Sequence, residues 1–251
     1  MKILALDFDG VICNSLLECL INSYNSFNIV GETLAKRLYK LEQIAQTEVE
    51  TFRRFRPLVR VAKEYYALWL LIRKHQSIDP RKSIREQARV TDHKLEEFNS
   101  IFYAERKVWL DKDAKSWFRY NPLYDGMKKA LFKILDKENV FIVSSKNAWA
   151  IKAILGYNEM SVADGKILGS DSGMDKDALF HQLSQRHSIR FSNIIFLDDN
   201  LSNLLTAKDM GISVFFASWG YSMESEKKQI YEMGIPAVAL EDFGEWAVEE
   251  I

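Results

Sequence analysis

Cysteine is scarce in this chain, with only Cys13 and Cys19 in 251 residues. Two thiols cannot build a disulfide framework, and they lack zinc-site partners nearby. A reducing, cytoplasmic setting is the simpler reading. Charge of one sign is also lacking. Lys and Arg total 34 against 35 Asp and Glu, for a net charge of -1. That balance gives no support to nucleic acid or an anionic membrane as a main partner. Long apolar runs are missing too. The run Tyr65–Ile72 is stopped at once by Arg73, Lys74 and His75, far short of the roughly 20 residues that span a bilayer. The N-terminus offers one lysine and four apolar residues before acid appears, which is too short and too acidic for a signal peptide. Histidine is sparse. His75, His93, His181 and His187 stand at no motif and read as structural or surface residues. No internal repeat or low-complexity tract is present, and composition sets no oligomeric state.

What is present begins at Ile3-Leu4-Ala5-Leu6, an apolar run that ends in Asp7-Phe8-Asp9-Gly10. Such a run without alternation fits a strand buried on both faces. Residues two apart on extended chain project to one side. Asp7 and Asp9 are therefore held close together, and Gly10 allows a sharp turn after them. Paired carboxylates are costly unless a cation or a raised pKa relieves them.

From Leu16 to Tyr120 the pattern turns helical. Helices are expected over Leu16–Phe27, Glu32–Gln46, Val49–Lys74 with Pro57 as a break or restart, Pro80–Val90, and Thr91 to Leu110 or beyond. From Asn121-Pro122 strands and helices alternate. The expected strands are Val140–Val143, a weak one near Met160–Ala163, Ile194–Leu197, Val214–Phe216 and Ala237–Leu240. The helices between and after them are Met127–Asp136, Ala148–Leu155, Asp175–Arg186, Leu201–Met210, Glu224–Met233 and Asp242–Glu249. That alternation predicts an α/β fold with a doubly wound parallel sheet. The sheet domain, residues 1–15 and 119–251, is interrupted once by an all-helical insert, 16–118. Two closely spaced crossings are what a hinged lid requires. A rigidly packed insert is the alternative.

Polar groups collect at the ends of separate strands: Asp7 and Asp9, Ser144 with Ser145, and Asp198 with Asp199, while Lys176 opens the helix before the last of these. In a parallel sheet these ends share one edge. Carboxylates, lysine and hydroxyls together suit a divalent cation and a phosphoryl group. Mg²⁺ prefers oxygen ligands and would offset the like-charge repulsion.

Four stretches, in order, carry a resemblance. Asp7-Phe8-Asp9-Gly10-Val11-Ile12 resembles the first motif of the haloacid dehalogenase (HAD) superfamily phosphatases. Val143-Ser144-Ser145-Lys146 resembles the second. Lys176 resembles the third-motif lysine, with Lys146 as its nearest rival. Leu197-Asp198-Asp199-Asn200-Leu201-Ser202-Asn203 resembles the fourth. Pro122–Gly126 and the tail around Trp219-Gly220-Tyr221 and Gly234-Ile235-Pro236 are similar to phosphoglycolate-phosphatase-like members. The insert stands where that superfamily carries a C1 helical cap.

The resemblance implies a Mg²⁺-dependent phosphatase acting on a small phosphorylated metabolite. Asp7 would be the nucleophile, forming an aspartyl-phosphate, and Asp9 the general acid and base. Ser144, Ser145 and Lys176 would hold the phosphoryl group. Asp7, the Asp9 main-chain carbonyl and Asp199 would hold Mg²⁺. Asp198 stands where many relatives have Gly, and Asn203 where many have a second Asp. Asp198 is therefore a further metal candidate, directly or through water. Two alternatives stay open: a phosphosugar mutase of the same superfamily, faintly suggested by Ser144-Ser145-Lys146-Asn147, and a non-catalytic regulator that keeps the fold.

Substrate choice would lie in the insert. Arg53, Arg56 and Arg60, with Arg54, cluster beside Phe52 and Phe55. Arginine suits bidentate recognition of a carboxylate or a second phosphate. A solvated helix face is the plainer reading. Tyr65, Tyr66 and Trp69 read as packing residues, and so does Cys13.

Overall fold

The computed structural model describes residues 2–33, 36–170 and 175–251. The chain falls into two compact units, Met1–Asn14 with Pro122–Ile251, and Ser15–Asn121.

The first unit starts with β1 (Ile3–Leu6), whose four residues are all fully buried. The second unit then holds α1 (Leu16–Val30), α2 (Gln46–Phe55), α3 (Glu64–Arg73), α4 (Ile84–Ala88), α5 (Asp92–Lys112) and α6 (Ala114–Arg119). The first unit resumes with α7 (Met127–Ile134), β2 (Val140–Ser144), α8 (Ala148–Tyr157), β3 (Ile167–Gly169), α9 (Lys176–His187), β4 (Ile194–Asp198), α10 (Leu201–Asp209), β5 (Ser213–Ala217), α11 (Glu224–Glu232), β6 (Ala237–Val238) and α12 (Phe243–Glu249).

The six strands form one sheet in the order β3-β2-β1-β4-β5-β6, and every pairing is parallel. One face is a continuous apolar layer. Ile3 and Ala5, Phe141 and Val143, Ile194 and Phe196, and Val214 and Phe216 pack with Leu179, Phe180 and Leu183 of α9 and Leu204 and Ala207 of α10. These alternate positions share a face because the strand period is two. On the chain's return, α7 packs against α12. Successive crossovers run from β1 toward β3, then restart at β4 on the other side of β1. The order therefore reverses between β1 and β4, and ligands bind at such a reversal, beyond the carboxyl ends of the strands.

The chain leaves and re-enters this unit side by side. Asn14 N–H donates to the Pro122 carbonyl at 2.8 Å, and Tyr124 N–H to the Ile12 carbonyl at 3.2 Å.

The helical unit is built on an aromatic core. Trp69, Phe98 and Phe52 are fully buried. Phe52 stacks on Tyr65, which stacks on Phe102, so the packing reading of Tyr65 and Trp69 holds. Trp69 Nε1 donates to Ser23 Oγ at 2.7 Å. The Arg106 guanidinium and the Glu18 carboxylate, both buried, make a bidentate pair at 2.8 and 3.1 Å.

Two expectations need correcting, and a third is settled. No helix runs over 32–46. Residues 34 and 35 lie outside the described residues, 37–39 belong to no helix, and a short 3-10 turn covers Leu41–Gln43. The reason is tertiary. The Asn25 side chain bonds both backbone groups of Leu38, its amide donating to the carbonyl at 2.8 Å and its oxygen accepting the N–H at 2.9 Å. Those bonds take the place of helical ones and override propensity. Over Val49–Lys74 Pro57 acts as the break, inside a 3-10 turn, Arg56–Leu58. The third strand of the sheet is Ile167–Gly169, not Met160–Ala163.

Candidate active site

β1 and β4 lie side by side at the centre of the sheet, in register from Ile3 with Ile194 to Leu6 with Leu197. Their ends therefore come out together. Asp7 follows β1 and is tied back by its N–H to the Leu197 carbonyl at 3.0 Å. Asp198 ends β4, and Asp199 follows it. Asp7, Asp198 and Asp199 are each at most 5% exposed. Each offers a carboxylate oxygen, all within 4.8 Å of one another.

Lys176 enters this group from the first turn of α9. A cation there opposes the helix dipole, and its partners explain the position. The ammonium pairs with Asp7 Oδ2 at 2.9 Å and with Asp198 Oδ2. Burial alone would lower its pKa, but Asp198 and Asp7 outweigh that and raise it, so Lys176 is charged. Asp198 is further held by Asn200 N–H at 2.7 Å and Asn203 Nδ2 at 3.1 Å. Asn203 thus serves as a donor to a carboxylate.

Asp199 is held differently. Its Oδ2 accepts the Tyr221 N–H at 2.5 Å, and its carbonyl accepts the Ser222 hydroxyl. Two glycines make room for it. A Cβ at Gly10 would lie 2.3 Å from Asp199 Oδ2, and one at Gly220 would lie 2.2 Å from Asp199 Cβ. Gly10 also needs its φ of +92°, a region that L side chains avoid. The loop carrying Gly220 is anchored in turn by Trp219 Nε1, which donates to the Val11 carbonyl at 3.0 Å.

Asp9 sits on the turn after β1, and its side chain is 14% exposed. It has its own cation. The ammonium of Lys146, whose side chain is fully buried, lies 3.1 Å from Asp9 Oδ1 and 3.4 Å from Oδ2. Ser144 is fully buried at the end of β2, with Ser145 beside it and half-buried. Ser144 Oγ accepts the Lys146 N–H at 3.3 Å.

The sheet edge therefore gathers Asp7, Asp9, Ser144, Ser145, Lys176, Asp198 and Asp199. It adds two features that the linear sequence does not announce, the Lys146–Asp9 pair and the brace on Asp199 from residues 219–222. Lys146 had a usable signal, because a lysine two residues past a buried strand lies on the same edge as Asp9. The brace depends on contacts more than twenty residues apart along the chain. The arginines Arg53 and Arg60 are exposed on the helical unit. Arg56 is less so, with its guanidinium bonded to the Val59 carbonyl at 3.1 Å and lying over the Tyr65 ring.

Charge and hydrogen bonding together test whether a divalent cation fits. Among the described residues, four carboxylates face two ammonium groups, which leaves two negative charges among them. Asp7 Oδ1 is buried without a hydrogen-bond partner, and a bare buried carboxylate oxygen is costly. The Asp7 carboxyl is pushed up to about 6, first by burial and then by Asp198 and Asp9, against the opposing pull of Lys176. All-oxygen donors with excess negative charge suit a hard cation of the Mg²⁺ type.

No protein-family model and no curated protein matches the chain. Solved structures do. A predicted phosphatase from Clostridium acetobutylicum superposes with a TM-score of 0.66 at 15% identity, over 99% of each chain. A haloacid dehalogenase-like family hydrolase from Streptococcus pneumoniae gives 0.62 at 15% identity, over 99% of this chain and 98% of that one. A predicted phosphoglycolate phosphatase from Haemophilus somnus gives 0.56 at 15% identity, over 89% and 88%. With a six-stranded parallel sheet and a helical unit inserted after its first strand, the chain has the fold of the haloacid dehalogenase-like hydrolases.

Proposed function

We propose that this protein is a HAD-superfamily phosphatase, hydrolysing a small-molecule phosphate monoester through an aspartyl-phosphate on Asp7. The observation that carries the reading is the convergence of Asp7, Lys176, Asp198 and Asp199 in one buried group with a bare Asp7 oxygen. Phosphoryl transfer asks mainly for positioning and for compensation of negative charge, and this group supplies both.

In the proposed reaction, an Asp7 carboxylate oxygen attacks phosphorus and the ester oxygen leaves with a proton from Asp9. Water, deprotonated by Asp9, then attacks the aspartyl-phosphate and releases inorganic phosphate. Lys176 offsets charge on Asp7 and on the transferring group. Ser144 and Ser145 donate to phosphoryl oxygens. Asp7, the Asp9 carbonyl and Asp199 would hold Mg²⁺, which when bound supplies positive charge to the phosphoryl oxygens. Asp198 is already engaged by Lys176, Asn200 and Asn203, so we place it behind Asp199 as a ligand. Asp199→Asn should therefore weaken Mg²⁺ dependence more than Asp198→Asn. A Mg²⁺ titration of activity in both variants checks this, and the reverse ranking would exchange their roles.

The helical unit would act as the cap, with Arg53, Arg56 and Arg60 as candidates for reading the end of the substrate that is not transferred. A cytoplasmic, phosphoglycolate-like metabolite is our working substrate class. Among the described residues no helix is long and apolar enough to cross a membrane.

The raised Asp7 pKa has a definite sign. In the metal-free protein its penalty is absent below the ordinary value of 3.8 and complete above about 6. Mg²⁺ competes with that proton, so its affinity should fall by up to about tenfold per pH unit below pH 6. Mg²⁺ should raise the thermal midpoint more at about pH 7.5 than at about pH 5. Equal shifts at both would count against Asp7 as a ligand.

The direct test is inorganic phosphate release from a panel of phosphomonoesters with and without Mg²⁺. Metal-dependent release supports the reading. No release, with turnover appearing only when a sugar bisphosphate is added, would support a mutase instead.

A further inference from the structure

A wholly buried lysine is expensive unless it is paired, and Lys146 pairs with Asp9, the group proposed as acid and base. We propose that Lys146 is a positioning residue that fixes the Asp9 carboxyl group, which carries a proton when it acts as the acid, for proton transfer to the leaving oxygen. This inference rests on the phosphatase reading above.

The geometry makes Lys146 a fixed post. Its carbonyl accepts the Ser170 N–H at 3.1 Å, and its N–H donates to Ser144 Oγ at 3.3 Å. The loop 146–148 also lies hard against Gly169. A Cβ there would come within 2.4 Å of the Ala148 nitrogen and 2.7 Å of the Lys146 carbonyl oxygen. Backbone contacts from β3 thus hold the residue whose ammonium meets Asp9 at 3.1 and 3.4 Å. Asp9 lies on a turn, and its side chain is the more exposed member of the Asp7 and Asp9 pair. A misplacement of about 1 Å is worth on the order of a hundredfold in rate.

A residue that places the acid matters in proportion to how much the leaving group needs a proton. Alkyl alkoxides need one, whereas p-nitrophenolate leaves nearly unaided. The experiment compares kcat/KM for an alkyl phosphate (glycerol phosphate) and p-nitrophenyl phosphate in the wild type, Lys146→Met, Asp9→Asn and the double variant. Lys146→Gln, which keeps a donor and most of the length, runs beside Lys146→Met so that misfolding of one variant does not decide the matter. For Lys146→Met the expected result is an alkyl kcat/KM down on the order of a hundredfold, a much smaller loss on the aryl phosphate, and no further alkyl loss from Lys146→Met once Asp9 is Asn. Equal losses on both substrates, or additive losses in the double variant, overturn the inference and make the pair merely structural. A wild type inactive on both substrates overturns the phosphatase reading, and this inference with it.

Discussion

Asp7→Asn is expected to abolish phosphate release while the protein stays folded. The substitution is close to isosteric and removes the carboxylate proposed as nucleophile, since an amide oxygen is a poor one. Loss of a nucleophile costs several orders of magnitude, so turnover should fall by at least ~10³-fold. Stability should move the other way. Ionised Asp7 is disfavoured by burial and by Asp198 and Asp9, and the variant removes that repulsion. Lys176 keeps Asp198 as its partner. The metal-free variant should therefore melt no lower than the metal-free wild type. Multiple turnover by Asp7→Asn would remove Asp7 from the nucleophile's role.

Lys176→Met is expected to damage both fold and chemistry. The ammonium lies between Asp7 and Asp198, and all three groups are buried. Breaking a buried ion pair by removing one partner costs about 3–5 kcal/mol, because the remaining charge is left uncompensated. Here two carboxylates are left. Turnover should fall by ~10² or more, as when a preorganised electrostatic group is lost. Adding Asp198→Asn should return part of the stability by removing one of the stranded charges, without restoring activity. Urea unfolding and phosphate release of the single and double variants check this. A single variant within about 1 kcal/mol of wild type would mean that Lys176 is a solvated helix residue.

The strand ends were readable from the sequence for a physical reason. A run buried on both faces cannot tolerate a carboxylate unless the strand has ended, so Asp7, Asp198 and Ser144 mark the ends of their own strands. Lys176 was readable from its place at the start of the helix before the Asp198 strand and from its resemblance to the third-motif lysine. What was not readable depended on contacts between distant segments. The third strand has three residues, and it is placed by its register with β2, Ile142 beside Ile167, while the apolar stretch near Met160 lies outside the sheet. The helix expected over 32–46 loses to the Asn25 side chain, which no local pattern reveals. Nor does spacing show that Gly220, about twenty residues after Asp199, exists to make room for it. Lys146 was weighed only as a rival to Lys176, yet each lysine serves a different aspartate of the Asp7 and Asp9 pair.

The covalent step is the central claim, and it can be read directly. A radiolabelled phosphomonoester that the protein hydrolyses is mixed with it in the presence of Mg²⁺, quenched in acid during turnover and digested. The account predicts label on the peptide containing Asp7, released by hydroxylamine as an acyl phosphate is and absent from Asp7→Asn. Phosphate release without any protein-bound label on this time scale, or label carried on another residue, would contradict it.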